Sequence, residues 1–169
     1  MAATDYAQTV KNDTREFISL AILQLLKKEK LSTLSVSKVC KRAGVSRMAF
    51  YRNFSDLSQV LHEYYQPKIS AEFDVVRNQP LASVKIERQE IFFERFGDDF
   101  ILAEQGEFEP IIRSIFTEEI KKFYVNSEDD YWVAFMAAGV YAIWHKWLLE
   151  DKKRPLKEVH ALIKNFGIK

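Results

Sequence analysis

The chain has 169 residues, and 47% hydrophobic with 29% charged excludes a disordered tail or a low-complexity scaffold. With only 5 Gly and 4 Pro it lacks the turns of an all-β fold, and a single Cys excludes a disulfide framework or a cysteine zinc site. The net charge of +1 hides an asymmetry, because residues 1–54 hold ten Lys/Arg against four Asp/Glu and residues 55–169 hold 15 against 20.

A basic first third on an acidic remainder suggests a polyanion-binding end and a separate body. On charge alone an unevenly charged, solvated surface explains it equally well. The length suits one compact body or two small ones sharing a core.

Asp13 or Thr14 is expected to cap the first helix, in which Phe17, Ile18, Ala21, Ile22, Leu25 and Leu26 recur at helical spacing. Lys27 and Lys28 suit its negative end. A short connection, 29–34, follows. Ser35 is the expected N-cap of a short helix with Val36, Val39 and Cys40 inward and Ser37, Lys38, Lys41 and Arg42 outward. Gly44 supplies the positive φ of a tight exit. Ser46 then caps a second short helix, Arg47 to Asn53, anchored by Val45, Phe50 and Phe54. Two short helices joined through a glycine turn make a helix-turn-helix.

The second helix presents Arg47, Met48, Ala49, Tyr51 and Arg52 outward. Arginine hydrogen-bonds guanine O6 and N7 in pairs, and Ala or Met meets a thymine methyl. The Ser46 hydroxyl and the helix N-terminus suit a phosphate. Spacing alone leaves a generic helical hairpin with a basic face as an equal reading.

The stretch Leu34 to Phe54 (LSVSKVCKRAGVSRMAFYRNF) resembles the DNA-binding segment of TetR-family transcriptional regulators. Cys40 holds the family's small position four before the turn glycine, then comes Ala43-Gly44-Val45-Ser46, and Phe50, Tyr51 and Phe54 hold its aromatic positions. The resemblance covers about residues 12–62. It implies an all-α fold: a three-helix head with a helix-turn-helix (1–54, helix 4 starting the link to about 65) and a helical ligand-binding and dimerisation body (66–169). It implies DNA contacts from Ser35, Ser37, Lys38, Ser46, Arg47, Met48, Ala49, Tyr51 and Arg52. One departure stands out. The family usually places a phosphate-binding Lys at the start of helix 4, where this chain has Ser55-Asp56-Leu57, so Ser55 or Asp56 serves only as a cap.

From Ser55 an apolar pattern runs through Leu57, Val60, Leu61 and Tyr64-Tyr65. Pro67 is expected to kink this helix before it resumes at Ile69, Phe73 and Val76 and stops near Asn78-Gln79-Pro80. Ile86, Ile91, Phe92, Phe93 and Phe96 mark a helix that Gly97-Asp98 is expected to interrupt, leaving a short segment from Asp99 to Gln105. Phe108 to Phe123 carries an i, i+3, i+4 stripe that reads as core. A pocket forms only where two such stripes fail to close, and Phe92, Phe96, Phe100, Phe116, Trp132 and Met136 are the candidate ligand contacts.

Ser127 and Glu128-Asp129-Asp130 begin a helix to about Glu150. Its Gly139, beside Ala137 and Ala138, is expected to serve close packing. Pro155 opens a last helix with Leu156, Val159, Leu162, Ile163 and Phe166 apolar. The stretch 137–159 is similar to the last helices of one TetR subgroup. Phe135, Gly139, Ile143, Trp147, Leu156 and Leu162 are therefore the candidate dimer interface, two helices from each subunit forming a four-helix bundle.

Other chemistry is sparse. His62, His145 and His160 have no partner at metal-ligand spacing, and His145 reads as a helix-surface or subunit-contact residue. No GxGxxG, P-loop or GxSxG sequence occurs, so no enzyme, cofactor or metal is expected. Asp98-Asp99 and the acidic run at 128–130 read as helix N-terminal charge, and Cys40 as packing. No apolar run approaches the roughly 18 residues of a membrane span, and residues 1–6 lack signal-peptide structure. A cytoplasmic protein is the default. The expected function is a homodimeric, ligand- or partner-controlled DNA-binding regulator, most simply a repressor acting on a double-stranded operator. The alternative is a helical protein-interaction module or co-activator whose head does not bind an operator.

Overall fold

A computed structural model describes residues 2–77, 84, 86–124 and 129–167, with the side chains of 2–7, 166 and 167 left aside. Among the described residues the chain is all-helical: α1 (Ala2–Leu26), α2 (Val36–Ala43), α3 (Arg47–Asn53), α4 (Leu57–Asp74), α5 (Ile86–Gln105), α6 (Glu109–Lys121), α7 (Asp130–Leu149) and α8 (Leu156–Gly167). Short 3-10 turns, Leu31–Thr33 and Lys122–Tyr124, precede α2 and follow α6. No described helix is long and apolar enough to cross a membrane.

Three sequence expectations are corrected. The first helix does not start at Asp13 or Thr14; it begins at Ala2. Its early turns bury nothing from residue 8 to 13 and are held by local bonds, Gln8 to Asn12 and the Thr14 hydroxyl to the Val10 carbonyl. α4 runs through Pro67, with Tyr65 buried before it and Ile69 and Phe73 after it. Gly97-Asp98 does not interrupt α5. An internal glycine costs a helix roughly 1 kcal/mol, which the burial of Phe93, Phe96 and Phe100 around it outweighs. Asp99 is thus mid-helix and not N-terminal charge; it accepts a hydrogen bond from the buried Tyr65 hydroxyl at 2.8 Å. Pro155 stands just before α8, its carbonyl accepting from the Glu158 amide at 2.9 Å. The expected stop at 78–80, the start at Ser127-Glu128 and the Phe166 side chain lie outside the described residues.

One apolar core runs through the described chain. Ile18, Ile22 and Leu26 of α1 meet Val39, Phe50 and Phe54 below and Val60 and Leu61 of α4 beside them. It continues through Tyr65, which stacks on Phe108 at 6.0 Å, into the phenylalanines of α5 and α6. The stripe at 108–123 is core, as expected: Phe108, Ile112, Ile115, Phe116 and Ile120 are buried.

A polar clamp ties the two ends together. The Leu31 amide donates to the Gly106 carbonyl at 2.7 Å, and Glu107 accepts from Lys30 and Ser32, both at 2.6 Å. Glu107 holds a left-handed φ of 58° at the α5–α6 corner. The Lys30 bond, then that from Ser32, holds its carboxyl below its ordinary value of 4.5. A depressed acid contributes stability above its unfolded value and loses it as the pH falls through the lower folded value. The protection of the Leu31 amide, its exchange rate relative to an unprotected amide at the same pH, is therefore expected to fall on acidification through that range, and Glu107→Gln to flatten the profile. Hydrogen exchange followed by NMR checks this.

Candidate nucleic-acid interface

The unit from Ser35 to Phe54 is fixed at each joint by a local bond. The Ser35 hydroxyl oxygen accepts from the Lys38 amide at 3.3 Å, starting α2. Gly44 ends it at φ 71°, ψ 26°, the left-handed exit that favours glycine. A Cβ at Gly44 would meet nothing within 4 Å, so conformation alone demands the residue. The Ser46 hydroxyl oxygen accepts from the Ala49 amide at 3.0 Å and starts α3. Val39, Cys40, Phe50 and Phe54 are buried, which turns the opposite face of α3 outward. Cys40 is packing: its Sγ lies 3.9 Å from the Ser46 carbonyl, and burial pushes the thiol up, away from the reactive thiolate.

Met48 is 74% exposed and Tyr51 52%, and Arg47 and Arg52 are exposed beside them. Ser35, Ser37, Lys38 and Ser46 are exposed too. Ala49 is a correction: it is half-buried, at the edge of the face and not on it. Several other head cations are engaged within the chain. Lys38 pairs with Glu29 at 2.5 Å, Lys30 with Glu107, and Arg42 donates to Gln24 at 2.8 Å. Among the described residues Arg47 has no ion pair, and Arg52 Nε reaches only the Met48 carbonyl of its own helix at 3.4 Å. The outer face of α3 thus joins two unpaired guanidiniums to two apolar side chains.

Sequence reasoning missed Arg15. It donates to the Asn53 carbonyl at 3.0 Å, pairs with Glu63 of α4 and lies 4.4 Å over the Phe54 ring. A cation at a helix C-terminus satisfies an orphan carbonyl and the dipole together. One α1 side chain therefore pins the end of α3 to α4. Arg15→Met is expected to destabilise the fold by about 1–2 kcal/mol, read by chemical denaturation. At the start of α4 the cap is Asp56, which accepts from the Gln59 amide at 2.8 Å. Residues 55–63, which include the first turns of α4, hold no Lys or Arg, the departure already noted at Ser55-Asp56.

The body sites divide. Phe92 and Phe116 line a cavity of about 70 Å³ between α4, α5, α6 and α7. Phe96, Phe100 and Met136 do not; they are buried core. Trp132 does not either, and its ring meets Tyr124 edge-on at 4.9 Å. Of the candidate dimer residues, Phe135 is 62% exposed and Leu162 is exposed, with Gly139, Ile143 and Leu156 half-buried. Trp147 is a correction: it is buried against Phe93 at 5.2 Å, and its Nε1 donates to the Arg154 carbonyl at 2.8 Å. Gly139 does not serve close packing within the chain, since a Cβ there would meet nothing within 4 Å. Tyr131, 91% exposed, extends this apolar face and was missed.

His145 is half-buried on α7. Its ring stacks on Tyr141 at 5.4 Å, and Nε2 lies 3.3 Å from Glu104 of α5. Among the described residues no group of three His, Cys, Asp or Glu stands close enough to hold a metal ion.

No family model matches the chain, and no curated protein matches it in sequence.

Proposed function

We propose that the chain is a sequence-specific DNA-binding transcriptional regulator of the TetR type, acting in the cytoplasm as a homodimer on a near-palindromic operator. The outer face of α3 carries this reading. Arg47, Met48, Tyr51 and Arg52 stand exposed on a short helix whose inner face, caps and end are all fixed. Pre-set arginines read guanine edges, and the apolar pair suits thymine methyls. The basic head around them supports attraction to phosphates. Two copies joined through α7 and α8 would set two such helices in successive major grooves. A small ligand or partner protein bound by the body would bias head separation, and with it operator affinity. Repression is the simplest outcome of such binding.

Met48 and Tyr51 favour a second reading, in which the same face docks a partner protein and the chain is an interaction module. Salt separates the two. With about six phosphates neutralised, duplex affinity falls roughly 10³-fold between 50 and 200 mM salt. Fluorescence anisotropy with a mixed-sequence duplex measures this. Salt-insensitive or absent duplex binding overturns the DNA reading and leaves the interaction module.

A further inference from the structure

The outer face of α3 sorts into two couples. Residues four apart on a helix sit one turn above each other, about 6 Å along the axis. Arg47 with Tyr51 and Met48 with Arg52 are such pairs, each an arginine and an apolar side chain. They are not equivalent. The Tyr51 ring rests edge-on against the buried Phe50 ring, at 5.4 Å, so its position follows the core. Met48 stands more open, and Arg52 Nε donates to the Met48 carbonyl, which holds the arginine stem along the turn that carries Met48. The Arg52 guanidinium makes no other bond among the described residues, so its terminal nitrogens stay available.

An apolar side chain and a guanidinium fork held one turn apart match a particular feature of the major groove. There an apolar side chain meets the 5-methyl group of thymine, and an arginine fork takes guanine O6 and N7. In a TpG step the methyl group and the guanine edge lie on neighbouring bases of one strand, about 3.4 Å apart. The unbranched, flexible methionine spans the difference between that spacing and the helical turn. A CpG step lacks the methyl group, and cytosine methylated at C5 regains it.

From this pairing we infer that α3 reads a pyrimidine 5-methyl group followed by guanine, with Met48 on the methyl group and Arg52 on the guanine. Thymine and 5-methylcytosine are accepted at that position, and unmethylated cytosine is disfavoured. The inference rests on the DNA reading and adds which base step is recognised. Duplexes selected by the full chain from a random-sequence library supply the probe, and each half-site is expected to hold a TpG step. The selected duplex is resynthesised with uracil, cytosine or 5-methylcytosine in place of that thymine, with guanine opposite either cytosine. Fluorescence anisotropy then compares the affinities. Uracil and cytosine are expected to weaken binding about fourfold per half-site, the worth of one buried methyl group, and 5-methylcytosine to restore it. Met48→Ala should bind the thymine and uracil duplexes alike with an unchanged melting curve, and Met48→Leu should keep the preference. Arg52→Ala should lose the preference for guanine and still separate thymine from uracil. A selected sequence without the TpG step, equal affinity of wild type for the thymine and uracil duplexes, or a Met48→Ala protein that still separates them overturns the inference and leaves DNA binding standing. Selection that enriches no sequence overturns the DNA reading itself, and the inference with it.

Discussion

Replacing Arg47 or Arg52 by alanine is expected to weaken duplex binding by about 1–3 kcal/mol, roughly five- to 150-fold, with no loss of stability. The separation follows from their placement. Both side chains are exposed, and neither holds an ion pair among the described residues. Removing them leaves Phe50, the Ser46 cap and the Arg15 bond to Asn53 intact. Lys38 is expected to behave differently. It is tied to Glu29 and meets a duplex only by leaving that partner, so Lys38→Ala should lower affinity less and evenly across sequences. Footprinting and thermal melts on the purified variants check all three. Unchanged duplex affinity in both arginine variants contradicts direct base reading by α3.

Gly139→Arg is expected to give monomers with folded heads. Within one chain the substitution is tolerated, because nothing lies within 4 Å of the added Cβ. Tyr131, Phe135 and Leu149 are exposed on α7, as are Ala138 and Ala142 between them. An apolar strip of this kind normally meets a partner. Small residues at its centre let two backbones approach, and an arginine there blocks the contact. Duplex affinity should collapse with the dimer, since one head holds only half of the site. Sedimentation of the variant decides the matter. A protein that stays dimeric places the interface on another face.

What could be read from sequence depended on the reach of the interaction. Ser35, Gly44 and Ser46 act within three or four residues, so the limits of α2 and α3 were visible in the chain itself. The Phe108 to Phe123 stripe was visible for the same reason. Gly97 misled because its cost is local while the packing that outweighs it comes from Phe93, Phe96 and Phe100 closing on other helices. Trp147 looked like interface because spacing does not say which neighbour covers an apolar side chain; Phe93 and the Arg154 carbonyl do. Arg15 was silent because its partner Asn53 lies 38 residues away. The outer face of α3 was legible as a pattern, and its freedom from ion pairs was not, since the acids that occupy Lys30 and Lys38 are brought by tertiary packing.

The most direct test of DNA recognition is selection from a random-sequence duplex library at physiological salt. Wild type is expected to enrich an inverted repeat whose half-sites lie about 10 bp, or a multiple of that, centre to centre. Arg47→Ala and Arg52→Ala proteins should relax the preference at particular positions of each half-site. Recovery of no preferred sequence, with duplex binding that does not respond to salt, would contradict the account.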